Sequence, residues 1–170
     1  RTRQRGMQNW DSKIHYINKH GEFKIGLLPA VYEKCIEYGI KPKVVDMRQP
    51  LPKVNGVVTK IGEYKLRPEQ EKAVKAVINN KVGKVPFQIG VLDYTVNAGK
   101  TLIMSSLYLS YKKQLKTLLI TNDSDWLNQA RDEFKKYLPG EQITFVQGKV
   151  LNWSNFTIGM VQSISRNMRF

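Results

Sequence analysis

Residues Gln88–Thr101, QIGVLDYTVNAGKT, restrict what this chain can fold into more than any other stretch. Ile89, Val91 and Leu92 form an apolar run of strand character, and a small polar turn then ends in Gly99-Lys100-Thr101. Leu102–Tyr111 follows with the character of a helix. Strand, turn, Gly-Lys-Thr and helix in that order predict a phosphate cradle. Amides of the turn and of the helix start point at an anion, Lys100 neutralises the outer phosphates, and Thr101 ligates Mg²⁺. Thr95, Val96, Asn97 and Ala98 must approach the phosphates closely, and Asn97 is a residue type that tolerates positive φ.

Charge points to a second kind of partner. Lys and Arg number 28 against 14 Asp and Glu, a net charge of +14, with +6 on residues 1–63 and +8 on 64–170. A polyanion, with nucleic acid the first choice, is the natural complement. Hydrophobic residues make up 41% of the 170, enough for a core. No apolar run approaches the ~18–20 residues that span a bilayer, and no secretory core is present. The single cysteine, Cys35, suits a reducing compartment such as the cytoplasm and sits at an apolar position of an expected helix. His15 and His20 lie near no ligand cluster, so a protein-built metal site is not expected.

Along the chain, Lys13–Asn18 and Phe23–Ile25 read as short strands around a Lys19–Glu22 turn. Leu28–Tyr38 reads as a helix with Pro29 early, Gly39 as its stop, and Val31, Cys35 and Ile36 or Tyr38 on its buried face. Pro42–Asp46 resembles a strand, and Met47–Gly62, with two prolines and two glycines, a linker or loose crossover. Pro68–Asn79 is a helix with Ala73, Val74, Val77 and Ile78 on one face. Lys116–Thr121 reads as a buried strand of the parallel type, and Asp123 or Ser124 caps a helix carrying Trp126, Leu127, Ala130, Phe134 and Tyr137 on one side. Ile143–Gln147 and Phe156–Val161 are further strands. The alternation predicts an α/β fold: a small N-terminal α+β domain over 1–46, a linker over 47–63, and a partial parallel α/β sandwich over 64–170.

The phosphate turn lacks the first glycine of Gly-x-x-x-x-Gly-Lys-Ser/Thr, because Tyr94 occupies that place. TVNAGKT instead resembles the shorter [Ala/Pro]-Thr-Gly-x-Gly-Lys-Thr form of superfamily 2 helicases, with Val96 and Asn97 in the Thr-Gly positions. Leu66-Arg67-Pro68-Glu69-Gln70 is similar to the adenine-reading motif of that superfamily, Leu-Arg-x-x-Gln. A primary amide suits adenine because it can donate and accept at once. Leu118–Gln129 resembles the Ia segment, with Asn122-Asp123 for Pro-Thr, and Ile158–Ile164 the Ib region, where Gln162 and Ser163 match and Met160 replaces Thr. Met7–Ile14 with Gly26-Leu27-Leu28-Pro29 resembles the small domain preceding the motor in phage recombination helicases of the UvsW type, with Ser12 for Gly.

These resemblances imply the N-terminal part of an ATP-dependent DNA helicase or translocase with a RecA-like first motor domain. Arg67 and Gln70 would select adenine; Thr95–Thr101 would hold ATP, with Lys100 and Thr101 the catalytic pair and Thr101 on Mg²⁺. Arg1, Arg3, Arg5, Lys13, Lys19, Asn122, Gln162 and Ser163 would contact DNA, duplex, branched or single-stranded, with RNA an alternative. No Asp-Glu-x-His or Asp-Glu-Ala-Asp stretch is present, so turnover is expected to need the remainder of the motor. Two other readings stay open: a nucleic-acid-binding module whose phosphate loop has decayed, and a phosphate-loop ATPase of unrelated purpose.

Overall fold

The computed structural model describes residues 16–95, 97–111 and 114–167. The chain divides into two units, one from Arg1–Asp46 and Lys81–Ile89, the other from Met47–Asn80 and Gly90–Phe170.

In the first unit Ile17 and Phe23 meet in an isolated antiparallel bridge. Asn18 closes the turn between them, its Oδ1 accepting from the N–H groups of His20 and Glu22 at 2.9 Å each. The expected strands around it reduce to this bridge among the described residues, because Ile25–Leu27 turns into a 3₁₀ helix. Helix α1 (Leu28–Glu37) stops as its sequence requires. Gly39 takes a φ of +73°, and the Ile40 N–H bonds the Cys35 carbonyl at 2.8 Å, the Schellman arrangement. Val31 and Cys35 are half-buried, while Ile36 and Tyr38 are exposed, so the inner face is narrower than expected. Pro42–Asp46 forms no strand; Pro42 has no N–H to give to a ladder.

A hairpin that sequence periodicity does not reveal completes this unit. Its strands β3 and β4 are Lys81–Val82 and Val85–Pro86 (β1 and β2, in the second unit, are given below). Val82 pairs with Val85, which leaves Gly83-Lys84 as the turn. Gly83 has a φ of +59°, the first central position where such two-residue turns take glycine. A side chain there would also strike the Tyr32 hydroxyl.

The second unit begins inside the stretch read as a linker. Val57 and Val58 pack against a cluster of Ile61, Leu66, Ala73, Val74, Leu102 and Ile103. Strands β1 (Lys60–Ile61) and β2 (Tyr64–Lys65) pair antiparallel and lead into α2 (Pro68–Asn79), whose limits are those expected. Helix α3 (Lys100–Ser110) is buried on most sides and takes a main-chain partner through two serines one turn apart. The Val58 N–H donates to Ser110 Oγ at 3.0 Å, and Ser106 Oγ donates to the Val58 carbonyl at 2.6 Å. Both backbone groups of Val58 are thereby satisfied away from water.

The main sheet contains β5 (Thr117–Thr121), β6 (Ile143–Gln147), β7 (Val150–Leu151) and β8 (Phe156–Met160), in the order β5-β8-β6-β7. β8 runs parallel to both β5 and β6; only the short edge strand β7 is antiparallel. This mixed α/β architecture with a three-strand parallel sheet is that of a partial RecA-like domain, as expected. Helix α4 (Ser124–Tyr137) covers one face, capped by Asp123, whose carboxylate accepts from the N–H groups of Asp125 and Trp126 at 2.8 and 3.1 Å. Leu127, Ala130 and Phe134 of α4 pack with Tyr108, Phe156 and Ile158, and the Phe156 ring stands 4.9 Å from those of Tyr108 and Phe134. Helix α5 (Val161–Asn167) follows β8 directly and ends the described chain.

The expected strand Ile89–Leu92 does not form. No strand of the main sheet pairs with it, and its side chains face outward, Val91 being 92% exposed. Apolar β-branched content favours a strand only where a neighbouring strand accepts from its N–H groups and donates to its C=O groups. Among the described residues no helix is long and apolar enough to cross a membrane, and no group of His, Cys, Asp and Glu is placed to hold a metal ion.

Tyr108 ties this core to pH. Its hydroxyl donates to Glu141 Oε2 at 3.0 Å, and burial, then that bond and the carboxylate charge, push its pKa up to about 12 from 10.0. The folded state therefore holds the phenol protonated after the unfolded chain has begun to lose the proton. That stabilisation is fully present below pH 10 and lost as pH rises toward about 12. Tyr108→Phe should lose about 1 kcal/mol below pH 10 with the hydrogen bond, and then show a shallower decline than the parent chain. Denaturant unfolding as a function of pH measures both; identical slopes above pH 10 would exclude the coupling.

Candidate nucleotide site

The turn before α3 is built by two left-handed residues. Asn97 has a φ of 64° and is the only described non-glycine residue with positive φ, in agreement with its expected tolerance of that region. Gly99, at 77°, is the residue from which α3 starts, and its carbonyl accepts the Ile103 N–H at 3.1 Å. The amides of Lys100, Thr101 and Leu102 thus stand at a helix start, where no carbonyl within the helix can take them. Lys100 is exposed and its Nζ donates to the Thr95 carbonyl at 3.0 Å, across the base of the loop. Thr95 and Asn97 are exposed, Ala98 and Gly99 half-buried, and Thr101 buried; Val96 lies outside the described residues.

The loop is clamped to the start of α2 by three hydrogen bonds. The Gln70 amide, 3% exposed, accepts the Arg67 N–H at 2.9 Å through Oε1 and donates through Nε2 to the Ala98 carbonyl at 2.8 Å. These partners fix which end of the amide is which. Arg67 Nη2 donates to the same carbonyl at 2.9 Å, while Arg67 Nε pairs with Glu69 at 2.6 Å. Tyr94, which fills the position of a missing glycine, donates its hydroxyl to the Glu69 carbonyl at 2.9 Å and packs its ring on the α2–α3 cluster. The departure from the glycine pattern is therefore a tether, which the sequence marked only as an anomaly.

Gln70 and Arg67 are thus already engaged inside the protein. An amide has two N–H donors and two acceptor lone pairs, so Gln70 keeps one of each beyond these bonds. Its near-complete burial makes it first a strut between helix and loop, a role that sequence reasoning missed.

Tyr108, near the end of α3, packs on Phe156, the first residue of β8. The carboxyl ends of β5 and β8 lie side by side, since Thr121 pairs with Met160. They carry Asn122, just after β5, and Gln162 and Ser163 at the start of α5. Asn122 and Gln162 are exposed. Ser163 is buried and its hydroxyl accepts the Gly148 N–H at 2.8 Å, bracing the β6–β7 turn. Lys19 is exposed in the Asn18–Glu22 turn of the other unit; Arg1, Arg3, Arg5 and Lys13 lie outside the described residues.

The clamp sets a steric requirement at Gly99. A Cβ built there meets Gln70 Nε2 too closely for any real contact, at a φ that alanine resists. Gly99→Ala should destabilise by about 2–4 kcal/mol, combining left-handed strain with the displaced amide. Because the displaced amide belongs to Gln70, Gly99→Ala and Gln70→Ala together should cost less than their sum by about 1 kcal/mol. Additive losses in chemical denaturation would disprove the contact.

Comparison with known proteins places this geometry in a family. No curated protein and no solved structure matches the chain. Residues 63–169, from the β1–β2 turn through α5, match the family described as the type III restriction enzyme, res subunit. That span takes in the Arg67–Gln70 clamp, the turn before α3 and the whole parallel sheet, more than half of the 170 residues. The chain belongs to this ResIII family, an N-terminal domain of helicase superfamily 2.

Proposed function

We propose that this chain is the nucleotide-binding part of an ATP-dependent DNA helicase or translocase, of the UvsW type, acting on duplex or branched DNA in recombination or repair. One observation carries the reading: a left-handed turn, held by Gln70 and Arg67 on the Ala98 carbonyl, delivers Gly99-Lys100-Thr101 to a helix start. The residues fit Mg²⁺-ATP. Gly99 admits close approach of an anion, free helix amides and Lys100 complement phosphate, and the Thr101 hydroxyl in the first helical turn is of the donor type that Mg²⁺ takes. The remaining donor and acceptor of Gln70, with Arg67 beside it, would favour adenine over guanine. Bound there, Mg²⁺ would neutralise charge on the phosphates. Residues 1–46 would serve as a DNA-recognition domain joined through 47–63 to the motor portion 64–170. Arg1, Arg3, Arg5, Lys13 and Lys19 would contact backbone from the first, and Asn122, Gln162 and Ser163 from the second, with Ser163 acting through the loop that it braces.

Calorimetric titration with Mg²⁺-ATP tests this. Lys100→Ala should weaken binding roughly 10–100-fold, the loss of a charge-assisted contact of about 1.5–3 kcal/mol, and GTP should bind more weakly than ATP. Equal affinity in the variant would overturn the reading in favour of a nucleic-acid module with a decayed loop. Turnover is not expected from these residues, which contain no Asp-Glu-x-His or Asp-Glu-Ala-Asp stretch. Hydrolysis abolished by Lys100→Ala would contradict that limit.

A further inference from the structure

The β3–β4 hairpin and residues 42–44 enclose a cavity of about 260 Å³, lined by Tyr32, Pro42, Lys43, Val44, Gly83, Lys84 and Val85. Three chain segments meet there: residues 38–45 and 81–89 contain no Asp or Glu, while Tyr32 comes from α1, which also carries Glu33 and Glu37. Lys41, Lys43, Lys81 and Lys84 are exposed around it, and none forms an ion pair among the described residues. Burial alternates along the first segment, with Pro42 and Val44 half-buried and Lys41, Lys43 and Val45 exposed. Lys41 and Lys43 therefore stand on one side of it, as alternate residues of an extended chain do. Gly83 brings the turn against Tyr32, so the aromatic side chain closes the cavity beneath Lys84.

Four lysines close in sequence to one cavity repel one another and raise the cost of folding. A bound polyanion offsets that cost. The wall of Tyr32, Pro42, Val44 and Val85 offers an apolar and aromatic surface to a base or sugar, while ammonium groups at the rim act as point charges for phosphate. Resting on the nucleic-acid reading above, we propose that this cavity seats one nucleotide unit of a DNA strand, with Lys43 and Lys84 on its phosphate and Lys41 and Lys81 on adjoining phosphates. It adds a contact surface distinct from the N-terminal basic run and from the sheet end. The hairpin also lies in sequence between α2 and the phosphate loop, so a strand held here is joined to the nucleotide site by a short covalent path.

The test uses the whole chain and a labelled oligonucleotide, single-stranded or duplex, followed by fluorescence anisotropy over a salt series. Lys43→Glu with Lys84→Glu should weaken binding at least ten-fold and lower the salt slope by about 2, one for each phosphate contact. A charge-matched pair on the other unit, Lys75→Glu with Lys135→Glu, should leave the slope within about half of one contact. Lys43→Gln with Lys84→Gln should give a smaller loss in the same direction, and circular dichroism establishes that each variant is folded. Unlabelled oligonucleotide, but not equimolar inorganic phosphate, should displace the probe. Unchanged binding by the cavity variants, equal losses in both charge-matched pairs, or displacement by phosphate would each overturn this assignment alone. Failure of the unaltered chain to bind DNA at low salt would remove the nucleic-acid reading and the cavity site together.

Discussion

The carbonyl oxygen of Ala98 receives two side-chain donors, Gln70 Nε2 and Arg67 Nη2, and this junction holds the turn before α3 in place. A carbonyl has two lone pairs, so the oxygen is saturated and its orientation fixed from both sides. With the loop tied to α2, its positive-φ residues can persist despite their strain, because the surrounding bonds over-determine them. Tyr94 adds a third tie through the Glu69 carbonyl. The exposed ion pair between Arg67 and Glu69 contributes little stability itself and serves to aim the guanidinium.

Everything that positions the site follows from how α3 is anchored. Its inner side meets the Phe156 ring through Tyr108, while Ser106 and Ser110 hold the backbone of Val58. A helix fixed on two sides presents its start in one orientation, which is what a preorganised anion site requires. Membership of the ResIII family agrees with that anatomy, since the matched residues span the clamp, the turn and the sheet.

Local chemistry made much of this visible in the sequence. Pro68 and the apolar spacing of Ala73 and Val74 bounded α2; Asp123 announced α4; Asn97 signalled its own left-handed conformation. These features depend on neighbours within a turn or two. What escaped depends on distant partners. Ile89–Leu92 has the composition of a strand but no paired neighbour in the main sheet. The hairpins at Gly62 and Gly83 have strands of two residues, too short to show a period. Gln70 matched an adenine-reading pattern, yet only the fold reveals that its amide is buried against Ala98. Ser163 likewise matched the Ib pattern, and only the fold reveals that it is buried and supports Gly148.

Hydrogen–deuterium exchange at the start of α3, with and without saturating Mg²⁺-ATP, tests the central claim most directly. If the clamped turn directs the amides of Lys100, Thr101 and Leu102 at phosphate, their exchange should slow by at least roughly ten-fold on nucleotide addition, the scale of one net hydrogen bond. Exchange unchanged at these amides, under conditions where the nucleotide is bound elsewhere on the chain, would contradict it.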